Sequence, residues 1–197
     1  MADAYGNNLR QVTHLNAVLV GPPSWSPDGT LLAFHARIPD KAQIFTVRLR
    51  DGFTKQLTNG SRGFAQPSFS QDGKTLYMLE PHGTALLYRL SLAAGSAQFL
   101  WAGLYAVESP KQNLLLYAKS DQLGIYARSL RGDLLRNPEV RIVPDYLPPN
   151  GKFQPVDDGI YYVSYSPGGL PRAFSFYSFA TKNSSDIAPV PAPTPEI

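Results

Sequence analysis

One turn recurs along this chain at nearly constant spacing, and it limits the fold more than any other feature. The first copy is Ser24-Trp25-Ser26-Pro27-Asp28-Gly29-Thr30-Leu31-Leu32-Ala33-Phe34, and the second is Ser68-Phe69-Ser70-Gln71-Asp72-Gly73-Lys74-Thr75-Leu76-Tyr77-Met78. A third reads Val107-Glu108-Ser109-Pro110-Lys111-Gln112-Asn113-Leu114-Leu115-Leu116-Tyr117, and a shortened fourth reads Pro155-Val156-Asp157-Asp158-Gly159-Ile160-Tyr161-Tyr162-Val163. Each is a short strand, a tight polar turn and a longer apolar strand. Pro27 sets φ for the first corner of a turn, Asp28 accepts bonds from the N–H groups that follow, and Gly29 supplies positive φ at little steric cost. Asp-Gly between apolar runs is a strong hairpin signal. Ser26, Pro27, Asp28, Gly29, Asp72, Gly73, Asp158 and Gly159 are therefore read as structural turns.

Ser26 to Ser70 is 44 residues, Ser70 to Ser109 is 39, and Asp72 to Asp158 spans two repeats in 86. A period of roughly 40–45 residues, with about four short strands in each, is the signature of a β-propeller blade. Composition agrees. Charged residues are 17%, and 11 Tyr, 10 Phe, 16 Gly and 18 Pro suit short strands joined by many turns. The fold class is all-β, with about four four-stranded blades forming a segment of a larger ring.

In chain order, residues 1–21 read as the outer strand of a preceding blade (Leu9–Leu15) plus a connector, because Arg10-Gln11-Val12-Thr13 matches Lys55-Gln56-Leu57-Thr58. Blades follow at 22–66, 67–103, 104–152 and 153–188, and residues 189–197 form a Pro-rich tail that is not expected to join a ladder. In the third blade Lys111-Gln112 replaces the Asp-Gly pair, which places Asn113 in a left-handed conformation. The spare N-terminal strand is a fourth strand, yet the last blade has its own in Ser184–Ala188. A segment cut from a longer propeller is expected, or else an open arc that self-associates through its exposed blade edges.

Trp25-Ser26-Pro27-Asp28-Gly29, Leu32-Ala33-Phe34, Ile44-Phe45 and Gln56-Leu57-Thr58 together resemble the TolB-type, WD-like propeller repeat of bacteria. Glu108-Ser109-Pro110, Leu116-Tyr117-Ala118-Lys119, Asp158-Gly159-Ile160-Tyr161-Tyr162 and Phe179-Ala180-Thr181 are similar to the C-terminal propeller of acidobacterial winged-helix regulators of the OmpR/CadC type. That resemblance implies a sensor or protein-interaction domain whose DNA contacts belong to another domain. A TolB-like periplasmic binding module is the first alternative. The gating propeller of a prolyl-oligopeptidase-like peptidase is the second.

No residue pattern announces catalysis. A hydrolase elbow needs G-x-S-x-G, and Gly60-Ser61-Arg62-Gly63 has the wrong spacing. His14, His35 and His82 fall in three repeats at no metal-ligand spacing, and Asp157-Asp158 sits where a turn falls. The chain is therefore read as no enzyme, with no cofactor and no metal, and its protein or small-molecule ligand is left open. A net charge of +3, with scattered Lys and Arg, gives no basic patch for direct nucleic-acid contact. The absence of cysteine does not choose between cytoplasm and periplasm, so localisation follows the flanking segments. Trp25 and Phe69, at equivalent positions, are expected to pack between blades. Trp101, Tyr105, Tyr146 and Phe153 lie near blade junctions.

Overall fold

The computed structural model describes residues 1, 5–81, 83–147 and 153–191, and the chain divides into two compact units, Met1–Trp101 and Ala102–Ile197. The described residues form strands, turns and loops, with no helix among them.

The first unit holds two antiparallel sheets. Strands β1 (Leu19–Val20), β2 (Ser24–Trp25), β3 (Leu31–Arg37), β4 (Ala42–Arg48) and β5 (Thr54–Gln56) make the first, and β6 (Ala65–Phe69), β7 (Thr75–Glu80), β8 (Leu86–Ser91) and β9 (Ala97–Ala102) make the second. Both β1 and β2 pair with β3, at Val20↔Ala36 and Trp25↔Leu32, so they are two halves of one edge strand. Gly21-Pro22-Pro23 separates them, since prolines cannot donate to a ladder. The first sheet thus starts at Leu19, inside the stretch expected to be a connector.

The same interruption recurs. The second sheet slips register between Ala65 and Ser68, with Gln66 at φ 51°, and a third sheet slips between Leu104 and Val107, with Tyr105 at φ 56°. Pro22, Gln66 and Tyr105 each stand four residues before the turn serine. A bulge at a fixed place in a repeat bends the strand and re-aims its side chains.

Burial follows the two-residue period of the strands. Leu32, Phe34, Ala36, Phe45 and Val47 form one cluster on one face of the first sheet, while Ala33 and Ile44 point the other way. There they meet Phe64 of the loop before the second sheet, and Phe69, Leu76, Met78, Tyr88 and Leu90 of that sheet. Burying one such large aliphatic side chain stabilises by roughly 1.5–3 kcal/mol, so this shared core joins the two sheets. The expected strand at Leu9–Leu15 is not a strand. It finds no ladder, and Val12, Leu15 and Ala17 instead pack against the Phe34–Phe45 face.

The second unit repeats the plan. Strands β10 (Leu104–Glu108), β11 (Leu114–Ala118), β12 (Ile125–Ser129) and β13 (Val140–Val143) form one four-stranded meander, and β14 (Phe153–Pro155), β15 (Gly159–Tyr165), β16 (Pro171–Ser178) and β17 (Ser184–Pro189) form the next. Tyr146, fully buried, meets the rings of Phe153 and Tyr162 edge-on, with centroids at 5.7 and 6.2 Å. The tail expectation needs correction at its start: Pro189 pairs with Ala173, and the Val190 N–H donates to the Arg172 carbonyl at 3.0 Å. β17 is an edge strand, where a proline nitrogen can face outward without breaking a bond. Residues 192–197 lie outside the described residues.

Candidate functional site

The turns account for their polar side chains completely. Ser26 Oγ donates to Asp28 Oδ1 at 2.6 Å and accepts from the Leu31 N–H at 2.9 Å, while Asp28 Oδ1 also accepts from the Thr30 N–H at 3.0 Å. Ser70, Asp72, Lys74 and Thr75 repeat these bonds at 2.6, 3.0 and 3.0 Å. Gly29 and Gly73 both have φ 69°. The serine hydroxyl first, then the backbone N–H, holds each aspartate below the usual carboxylate range, which leaves neither as a proton donor near neutral pH. Ser109 keeps the bond from the Leu114 N–H at 3.1 Å, and Asn113 takes the left-handed corner at φ 53°.

In the fourth sheet the arrangement differs from expectation. Asp157 and Asp158 make the turn, closed by Val156 N–H to the Gly159 carbonyl at 2.9 Å, but Gly159 itself is the first residue of β15 and its φ is not positive. It is needed for close approach: a Cβ there would stand 2.1 Å from the Tyr177 carbonyl oxygen. Asp157 pairs with the Lys111 ammonium, and its carbonyl accepts from Gln112 Nε2 at 3.0 Å. The residues that replace Asp-Gly in the third turn thus tie it to the fourth.

The other singled-out residues scatter. Phe69 is buried between the first two sheets, whereas Trp25 is half exposed, at a depression it shares with Val12, Thr13, Leu32, Phe34 and Val47. His35 Nδ1 accepts from the Gln66 N–H at 3.2 Å, His14 lies beside Arg10 and Arg50 at a shallow polar depression, and His82 lies outside the described residues. Asp51, at the same depression, is pulled down to about 2 by the Arg48 guanidinium and the Phe53 N–H. Tyr117, Lys119, Arg128 and Glu139 form a polar cluster on the third sheet. Burial pushes Glu139 up, but the Lys119 ammonium at 2.5 Å and the Tyr117 hydroxyl outweigh it and hold the carboxyl below its ordinary value. The four groups mainly satisfy one another.

A better candidate lies where the first two sheets join. The loop between β5 and β6 is anchored from below by Gln43, itself buried on β4. Gln43 Oε1 accepts from Thr58 Oγ1 at 2.6 Å, and Gln43 Nε2 donates to the carbonyls of Gly60 and Arg62 at 3.3 and 2.9 Å. Thr58 Oγ1 accepts in turn from the Ile44 N–H at 2.9 Å. Gly60, at φ 104°, makes the corner. This network fixes the backbone that carries Arg62.

Arg62 reaches into the second sheet. Its Nη1 donates to Glu80 Oε2 at 3.0 Å and to the Tyr88 hydroxyl at 2.5 Å, and its guanidinium carbon sits 5.8 Å from the Tyr88 ring centroid. The Tyr88 ring is edge-on to Phe64 at 5.3 Å and to Phe99 at 5.6 Å. Burial and the Glu80 carboxylate raise the Tyr88 hydroxyl above the usual phenol value, so it stays protonated. Arg62, Phe64, Tyr88 and Phe99, together with Asn59, Gly60 and Ser61, line a groove of about 580 Å³. That volume lies within the ~300–1,000 Å³ of ordinary ligand clefts. The groove offers three rings, one oriented cation and a loop backbone. Among the described residues it holds no nucleophile–base pair, and no group of three or more metal-ligating side chains occurs anywhere among them.

Sequence reasoning passed over this place. Arg62, Glu80 and Tyr88 are 18 and 26 residues apart with no periodic relation. The one usable signal was Arg62 in Gly60-Ser61-Arg62-Gly63-Phe64, a loop joining two blades.

No family model matches the chain. Among solved structures, TolB from Acinetobacter baumannii is similar with a TM-score of 0.79 at 18% identity, over 95% of this chain and 48% of that one. A protein assigned as TolB in Agrobacterium tumefaciens gives 0.74 at 18% identity, over 93% and 70%. A Mycobacterium tuberculosis puromycin-hydrolyzing peptidase gives 0.62 at 14% identity, over 93% of this chain and 31% of its own length. The chain therefore spans about half of the first of these and under a third of the last. At such identities the likeness concerns fold alone: the chain is an all-β propeller segment of TolB-like architecture.

Proposed function

We propose that this chain is a non-catalytic β-propeller segment that binds a partner, serving as the sensor or protein-interaction part of a bacterial winged-helix transcriptional regulator. The observation that carries the binding role is the groove at the first sheet junction. Its cation is held in place by two bonds and faces aromatic walls, which suits recognition rather than bond making. The regulator context rests on the ordered resemblance of the later repeats to such propellers, and fold likeness by itself does not select a function.

The test is a pair of assays on the 197-residue chain. Titration with duplex DNA should give at most weak, sequence-independent binding, and incubation with puromycin or aminoacyl anilides should give no turnover. Specific DNA binding with a steep salt slope overturns the division of labour, and hydrolysis overturns the non-catalytic role.

A second reading, the propeller of a peptidase, is favoured by the likeness to the puromycin-hydrolyzing peptidase. The coding sequence flanking residues 1–197 separates the possibilities. A winged helix upstream supports the regulator, a secretory signal upstream supports a TolB-like envelope module, and a hydrolase domain downstream supports the peptidase.

A further inference from the structure

We propose that the groove at the junction of the first two sheets recognises a free carboxylate carried on an aromatic or branched aliphatic body, with Arg62 as the carboxylate-binding residue. The proposal rests on the binding role above and names the ligand class.

The argument starts from how the guanidinium is spent. The bonds Arg62 makes to Glu80 and to the Tyr88 hydroxyl both leave from Nη1. Nη1 carries two hydrogens, so they use up that nitrogen. Among the described residues nothing engages Nη2 or Nε, and the side chain is 60% exposed. These two nitrogens form the guanidinium edge whose parallel N–H groups match the two oxygens of a carboxylate. Arginine normally loses side-chain entropy when it takes up a ligand. Here the Glu80 and Tyr88 bonds have already fixed its plane, and the Gln43 network has fixed its backbone.

Charge and shape narrow the ligand. Glu80 neutralises much of Arg62 at long range, which disfavours a multiply charged phosphate and leaves a short-range, directional site for one carboxylate. Beside it stand Phe64, Tyr88 and Phe99; Phe99 is half exposed. An exposed phenyl held edge-on to a buried tyrosine gives a flat apolar body a ring to lie against, for which offset or edge-on contacts contribute about 0.5–1.5 kcal/mol beyond burial. The Tyr88 hydroxyl, kept protonated, accepts from Arg62 Nη1 and adds no competing charge.

Two sources carry this chemistry, a peptide C-terminus and a free organic acid. Calorimetric titration of the 197-residue chain with N-acetyl-Ala-Phe acid, its C-terminal amide and 3-phenylpropionate separates them. The acid should bind at least tenfold tighter than the amide, as expected for loss of charge-assisted bonds. R62Q should lose that preference and R62K should recover part of it. Phe99→Ala should weaken both acids severalfold. The circular dichroism of each variant should match that of the parent chain. Peptide acid binding tenfold tighter than phenylpropionate identifies a peptide terminus, and equal binding identifies an organic acid; both support the site. Equal affinity of acid and amide, no loss on R62Q, or no binding of either acid at millimolar concentration overturns it. If the groove proposal fails while a partner binds parent and R62Q alike, the broader binding role stands. Hydrolysis of a probe would instead overturn the non-catalytic role and leave the groove result to be read separately.

Discussion

His35 and Gln66, 31 residues apart, are joined across the first sheet junction: the imidazole Nδ1 accepts the Gln66 backbone N–H at 3.2 Å. Gln66 is the positive-φ bulge residue of its strand, and the His35 ring lies over Gly21, whose Cβ would stand 1.6 Å from Cε1. One imidazole thus fills the gap at the broken strand of one sheet and satisfies the bulge of the next.

The G21A variant must displace that ring and lose its bond. It should unfold about 1–3 kcal/mol more easily, read from the urea midpoint. In the G21A/H35A double variant the glycine substitution should cost less than it does alone, since the clash is gone, and a strictly additive cycle contradicts the arrangement.

Gln43 connects a buried threonine to the loop of the groove. Replacing it by alanine leaves Thr58 and two carbonyls to find other partners and should cost about 1–3 kcal/mol. Hydrogen exchange at residues 60–63 should accelerate more than exchange in β7. Uniform acceleration would show that Gln43 supports the whole sheet and not the loop.

Asn113 is left-handed at φ 53°, one residue beyond the position where Gly29 and Gly73 take positive φ in the first two repeats. Asn113→Gly should be close to neutral. Asn113→Val should lower stability by about 1–2 kcal/mol, the usual penalty for a side chain in that region, measured by thermal melting. Equal melting temperatures for the two variants contradict the turn geometry.

Tyr117 and Tyr146 have their hydroxyls pushed far above the phenol value. Burial is the main cause for both, followed by the Glu139 carboxylate for Tyr117 and by Tyr105 for Tyr146. The folded state therefore holds these protons more tightly than the unfolded chain. The stability they contribute is complete below the unfolded value of about 10 and is lost as pH rises beyond it. Tyrosinate absorbance at 295 nm should show these phenols ionising only together with loss of the near-ultraviolet dichroism. Ionisation of every tyrosine while the fold persists contradicts their burial.

Gly159 abuts the Tyr177 carbonyl and the Phe176 ring. Gly159→Ala must part β15 from β16 locally and should cost about 3 kcal/mol. Gly29→Ala meets no neighbouring atom and strains only its φ of 69°, so it should cost less. Denaturant midpoints order the two, and a reversed order would contradict the strand placement of Gly159.

Much of this fold was legible in the chain because its repeats are local. Ser26, Asp28, Gly29 and their counterparts announce both turn and period, and even the substituted third turn pointed to Asn113. Gly159 misled because a glycine after an aspartate reads as a corner, whereas its need arises from β16, which begins 12 residues later. The strand expected at Leu9–Leu15 was read from a matching motif, but a strand requires a partner that no motif supplies. Arg62, Glu80 and Tyr88 were illegible for a similar reason. Their meeting depends on how two sheets pack and on Gln43, a polar residue buried on β4.

The meander order of each sheet bears on how the chain acquires its structure. Nearly every strand pairs with its sequence neighbour through a short hairpin, so each closure costs little loop entropy and contact order within a sheet is low. Single sheets can then assemble early and quickly. The encounter that unites His35 with Gln66, and Ile44 with Leu76, is left as the slower event. Substitutions within turns should therefore act on refolding rates, and substitutions at the sheet junction on unfolding rates.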